Sequence, residues 1–233
     1  MHRSFACVSL GLLFACASGA PPTAPDRASA WGYVRLVPRE GVAAITSGAH
    51  SYGDREVADA ELVDYSKPGF AVVWADGAPA PAGRARVAIR SGVAGAVFDP
   101  PHAALGAGGA IAVANESAEA HVLSCPAAKL VRRLAPGESV EIAAATGGEW
   151  SLFLLDAPNA AARLFAAPGP FAVASSAGRF ALPDLPPGAA RLHAWHPRFP
   201  PAAAAVELGA GASTRVDLEL RVDHPGGESP DAP

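Results

Sequence analysis

Lysine and cysteine are both scarce in this 233-residue chain. Lys67 and Lys129 are the only lysines among 18 basic residues, and 22 acids outweigh them to give a formal net charge of -4. That balance argues against a nucleic-acid partner, because phosphate binding rests largely on neutralisation by Lys and Arg. Also missing are a nucleophile motif, paired carboxylates in a recognisable frame, and a Gly-rich phosphate loop leading into a helix. No enzymatic activity is expected. No long segment has helical period, so short strands divided by Gly and Pro are the expected elements. Gly and Pro together make up about a fifth of the chain, below the ~25–30% at which disorder becomes the default. Half the residues are hydrophobic and 17% are charged. A core is therefore available, although much of it is Ala, which buries little area.

The first residues, Met1-His2-Arg3-Ser4 and then an apolar run from Phe5 to Ala15, have the basic end and short hydrophobic stretch of an export signal. Leu13-Phe14-Ala15-Cys16 resembles a bacterial lipobox, which implies lipidation of Cys16 as the first mature residue. The alternative is ordinary cleavage after Ala20, which leaves Pro21 at the new terminus. With Cys16 acylated, the membrane is a partner through the lipid anchor, and residues 21–27 are an extended Pro-rich tether. Ala17 follows Cys16 where an Asp commonly retains such proteins at the inner membrane, which favours the outer membrane. The expected location is the cell envelope, periplasmic or surface-facing. Cys125 is then the only mature thiol; a reactive or intermolecular role is conceivable, but a small buried apolar residue is the preferred reading.

Along the mature chain, residues 33–37 and 69–74 read as strands and residues 46–55 as loop. Residues 84–90 alternate, with Ala85, Val87 and Ile89 inward and three arginines outward, a pattern that suits a solvated sheet edge. Residues 216–222 are the clearest alternating strand, with Val216, Leu218, Leu220 and Val222 on one face. His193 and His196 lie on a strand and point to opposite faces, so they make a poor chelating pair.

Two stretches carry a resemblance. Residues 109–115, His121, Ala135-Pro136-Gly137, and Gly148-Glu149-Trp150-Ser151-Leu152-Phe153-Leu154 together resemble the cupredoxin (plastocyanin-like) family. The resemblance puts the first ligand His at His121, and it puts Leu154, Ala157 and Ala160 where the ligand Cys, second His and Met belong. Alkyl side chains have no lone pairs to offer a copper ion, so no cofactor is expected. The only candidate metal ligands in this half are His121 and His102, which form a conceivable two-imidazole site. Asp156, beside the missing ligands, reads as a turn residue.

Gly178-Arg179-Phe180 followed by Leu185-Pro186-Pro187-Gly188 resembles the carboxypeptidase regulatory-like (transthyretin-type) β-sandwich, with Gly178 in a tight turn and Pro187-Gly188 in a type II turn. The combination resembles exported methylamine-utilisation-type proteins. From residue 170 to 222 only four strands are legible, too few for a sandwich, so residues 33–37 and 70–74 are expected to complete it.

The expected fold is all-β, a cupredoxin-like Greek-key sandwich inserted into a transthyretin-like one. In residue numbers this gives a signal peptide over 1–15, the lipid-anchor Cys16 and tether over 16–30, a carboxypeptidase regulatory-like sandwich from 31–82 plus 167–222, a cupredoxin-like domain over 83–166 and a loose tail over 223–233. The expected function is a lipid-anchored, non-catalytic binding or scaffold protein of the cell envelope that has lost its copper site and whose protein partner is unknown. The alternative is a copper-handling or electron-transfer protein that uses His121 with non-standard ligands.

Overall fold

The computed structural model describes residues 20–39 and 63–222. The export signal, Cys16, the loop read at 46–55 and the tail at 223–233 lie outside the described residues. The fold is all-β, with four sheets stacked as two sandwiches.

Strand β1 (Ala28–Val37) begins inside the stretch read as tether. Ala28, Ser29 and Ala30 are fully buried there, so three small residues that look like linker in the sequence act as core. Strand β2 (Val72–Ala75) is buried along its whole length. The chain then builds nine strands in succession: β3 (Arg84–Gly92), β4 (Gly95–Asp99), β5 (His102–Gly106), β6 (Gly109–Asn115), β7 (His121–Cys125), β8 (Leu130–Leu134), β9 (Ser139–Ala144), β10 (Gly148–Leu154) and β11 (Ala157–Ala167). These form two sheets, in the orders β4-β3-β6-β9 and β5-β11-β10-β7-β8. Parallel pairs β3/β6 and β5/β11 require the chain to cross between the sheets rather than run as simple hairpins. Ile89, Ile111, Val113, Leu123, Leu152 and Leu164 fill the space between them.

The remaining strands are β12 (Phe171–Val173), β13 (Arg179–Leu185), β14 (Gly188–His196), β15 (Phe199–Leu208), β16 (Ser213–Arg215) and β17 (Leu218–Arg221). They pair with the two strands at the start of the chain. β1 lies between β13 on one side and β16 and β17 on the other, while β2 lies between β12 and β14, with β15 beyond. Val34, Leu36, Val73, Leu182, Leu192 and Leu218 share the core of this sandwich.

The two sandwiches meet face to face. Phe165 and Ala167 point away from their own core, and Val72, Trp74 and Trp195 do the same from the other side, so these five residues of three strands form a third apolar cluster. Phe165 stacks on Trp195 at 5.0 Å and lies 4.7 Å from Trp74 between ring centroids. The result is four layers of sheet with three apolar seams.

Three strand expectations change. β3 is not an edge strand, because β4 and β6 flank it. Its outward arginines instead pair across strands, Arg84 with Glu141 and Arg90 with Asp99 and Glu116 at 2.9 and 3.1 Å. The alternating run at 216–222 is broken, since Val216 donates its N–H to the Trp31 carbonyl at 2.8 Å and Asp217 accepts from the Tyr33 N–H at 3.1 Å. Val222 is exposed rather than part of a buried face. Finally, six strands rather than four follow residue 170, because Phe171–Val173 is short and Phe199–Leu208 hides in a Pro- and Ala-rich stretch.

Candidate functional site

The site is built on Asn115, at the end of β6. Its side chain is fully buried and makes four hydrogen bonds: Nδ2 donates to the Glu119 and Leu134 carbonyls at 2.8 and 2.9 Å, and Oδ1 accepts from the Ser117 N–H and hydroxyl at 3.1 and 2.7 Å. A buried amide that uses every donor and acceptor fixes the loop around it. That loop delivers His121 to the first position of β7, where its ring is buried.

The turn from β10 to β11 is tight, since Leu154 pairs with Ala157 and only Leu155 and Asp156 lie between. It is tied to β7 at three points. Leu155 donates its N–H to the Val122 carbonyl at 2.9 Å, the Val122 N–H donates to Asp156 Oδ1 at 2.8 Å, and His121 Nδ1 lies 2.7 Å from Asp156 Oδ2. With a carboxylate as acceptor, Nδ1 carries the ring proton. Partial burial alone would push the Asp156 carboxyl up; the Val122 N–H and the His121 ring outweigh it and hold the group below its ordinary value. Sequence reasoning placed Asp156 in a turn but missed this clamp, whose His121 partner lies 35 residues away.

Leu154 is buried between the four- and five-stranded sheets, Ala160 is buried in the same core, and Ala157 is half-buried. None carries a lone pair, and the one imidazole is engaged through Nδ1. That donor set does not fit the thiolate-and-imidazole copper centre the resemblance implies.

His102 is elsewhere. It opens β5, while His121 opens β7, and β11 and β10 lie between them in the sheet. Three strand steps of about 4.8 Å and an offset of roughly five residues along the strands put them about 20 Å apart. One metal ion with imidazole bonds of about 2 Å cannot span that. The His102 ring instead lies 5.6 Å from Phe70, with Nδ1 buried and without a hydrogen-bond partner. Burial pushes its imidazole below the ordinary value; backbone contacts with Arg163 and Pro101 oppose this, and the Arg163 charge adds to it. Among the described residues, no three His, Cys, Asp or Glu side chains are grouped to hold a metal ion.

His193 and His196 also part company. His193 stacks on Trp74 at 4.9 Å and bonds Asp76 through Nε2 at 3.0 Å, whereas His196 is buried against the Pro68 carbonyl. Cys125 is fully buried at the end of β7, and burial raises its thiol pKa, so it behaves as an apolar core residue.

No protein-family profile matches the chain, and no curated protein matches it. Among solved structures it is similar to a purple cupredoxin from Nitrosopumilus maritimus, at 14% identity and TM-score 0.32, over 36% of this chain and 99% of that one. It is also similar to dithionite-reduced auracyanin from the photosynthetic bacterium Roseiflexus castenholzii, at 14% identity and TM-score 0.30, over 38% of this chain and all of that one.

Proposed function

We propose that this chain is an exported, lipid-anchored, non-catalytic binding or scaffold protein whose cupredoxin-like part, residues 83–166, has given up copper. In this reading that part is inserted into a transthyretin-type sandwich formed by residues 31–82 and 167–222, and β1 and β2 pairing with five of the last six strands supports the division. The observation that carries the functional reading is the clamp at the ligand end: Asp156 holds His121 Nδ1 and the Val122 N–H, while Leu154 lies in the core. A site closed by a carboxylate and an alkyl side chain is organised for rigidity rather than for binding and releasing a soft metal. Partner recognition then falls to the surface, with Cys16 supplying the membrane anchor.

Copper titration of the purified chain, followed by optical and paramagnetic spectra, tests this. Silent spectra from a folded protein are expected. One tight copper per chain with an intense thiolate-to-copper band overturns the reading.

The second reading, a weak copper site on His121 with non-standard ligands, rests on the ring nitrogen that Asp156 does not occupy. His121→Ala then abolishes copper binding, and binding that survives the substitution rejects it.

A further inference from the structure

Next to the seam between the two sandwiches lies a buried imidazole in a hydrogen-bonding frame that accepts only its neutral form. His196, the last residue of β14, is 7% exposed. Its Nε2–H donates to the Pro68 carbonyl at 3.0 Å, and its Nδ1 accepts from the Arg198 N–H at 3.0 Å. The second proton of an imidazolium must go on Nδ1, where it meets another N–H. The Arg198 bond then has to break, while the Nε2–H bond to the Pro68 carbonyl is kept.

The neighbours offer the charged form little relief. His102 approaches from β5, Arg198 from the turn after β14, and Arg163 from β11, whose guanidinium donates to the Pro197 carbonyl across the seam. Glu149 stands 3.9 Å from Arg163. On the segment before Pro68 are Asp64, which accepts from the Ser66 N–H at 2.9 Å, Tyr65 and Lys67. On β14 itself, His193 is paired with Asp76. Phe199 of β15 closes the remaining side, its ring 5.1 Å from that of His196. Among the described residues, no carboxylate is hydrogen bonded to the His196 ring.

We propose that His196 is an acid-sensitive latch: protonating it breaks the Arg198 N–H bond, frees the turn whose Pro197 carbonyl accepts from Arg163 of β11, and so loosens the two sandwiches from each other. The coupling is short. Trp195, next in the chain, is stacked on Phe165, and Phe70, two residues after Pro68, meets Trp195 edge-on at 6.4 Å. Opening the frame at the Arg198 turn therefore disturbs the aromatic seam through Trp195. Burial pushes the His196 imidazole down to about 4; the Pro68 bond opposes this, and His102 and Arg198 add to it. Because the folded value lies below the ordinary 6.5, the unlatched state takes up the proton first. The latch is at full strength above about pH 6.5 and weakens as pH falls toward 4.

The test is a pH titration of the purified chain from 7.5 to 3.5, read by tryptophan emission and by amide hydrogen exchange. Two of the four tryptophans, Trp74 and Trp195, sit in the seam. A reversible red shift between pH 6.5 and 4 is expected, with faster exchange in residues 192–199 while β6 stays protected. His196→Gln, which can donate and accept without titrating, should lose the shift. If that variant does not fold, the His196 ring proton resonance in the unaltered chain must titrate with the same midpoint as the emission. Emission that stays flat until the whole chain unfolds in one step overturns the latch. So does a red shift that His196→Gln retains, or a His196 ring that titrates near 6.5 with no change in the seam.

Discussion

Asn115 and Asp156 show what a single side chain decides in this protein. Asn115→Ala removes four hydrogen bonds and strands the buried Leu134 carbonyl, while the exposed Glu119 carbonyl keeps the Ser117 hydroxyl. A loss of about 3 kcal/mol is expected from urea unfolding. Asp156 acts through charge. Its folded-state pKa lies below the ordinary 3.8, so its stabilising effect is complete above that value and disappears as pH falls through the folded value. Asp156→Asn should therefore lower stability at pH 7 and flatten the loss of stability below about pH 4, which thermal melts from pH 7 to 2.5 would reveal. The variant tracking the unaltered chain at every pH would show that the clamp contributes nothing. His121 was legible in the sequence because the residues around it form a pattern. Its hydrogen-bonded partner was not, because a turn Asp carries no signal of what it reaches across two strands.

Elements were legible where alternation is strong and obscure where the backbone itself makes the contact. The inward sets of β3 and β6 follow from period two. That β3 and β6 run parallel, or that β3 sits inside its sheet, does not follow, since pairing partners leave no mark on alternation. The break between β16 and β17 arises at Gly32, where an added Cβ would lie 1.9 Å from the Val216 carbonyl oxygen. Gly32 is thus needed for close approach of two chains rather than for a special φ. Gly32→Ala should push the Val216–Asp217 link off β1 and cost about 2 kcal/mol or more. Rapid exchange of the Val216 amide, which otherwise bonds to Trp31, is the local readout; a protected amide in a stable variant would contradict it.

The whole molecule is a stack whose middle seam is thinner than the two outside it. Five buried residues make that seam, three of them aromatic. Phe165→Ala takes the central ring away from Trp74 and Trp195, and truncation of a buried Phe costs about 3–5 kcal/mol. That cost falls on the joint rather than on either core. Calorimetry should accordingly turn one unfolding transition into two, and a single transition merely shifted in temperature would mean that the sandwiches do not unfold separately. From the sequence, the all-β class followed from punctuation by Gly and Pro. The four-layer stack did not, because Phe165, Trp74 and Trp195 lie far apart in the chain and each reads as an ordinary strand aromatic.

The parallel pairing of β1 with β17, Val34 beside Leu218 and Val37 beside Arg221, has a mechanical meaning. The described chain enters through the start of β1 and leaves through the end of β17, so tension between the two ends pulls these neighbours along their length in opposite directions. Their hydrogen bonds are then loaded together rather than peeled one at a time. Strands β3 to β11 lie outside that line of force. A pull on the ends reaches them only after the β1–β17 clamp has sheared.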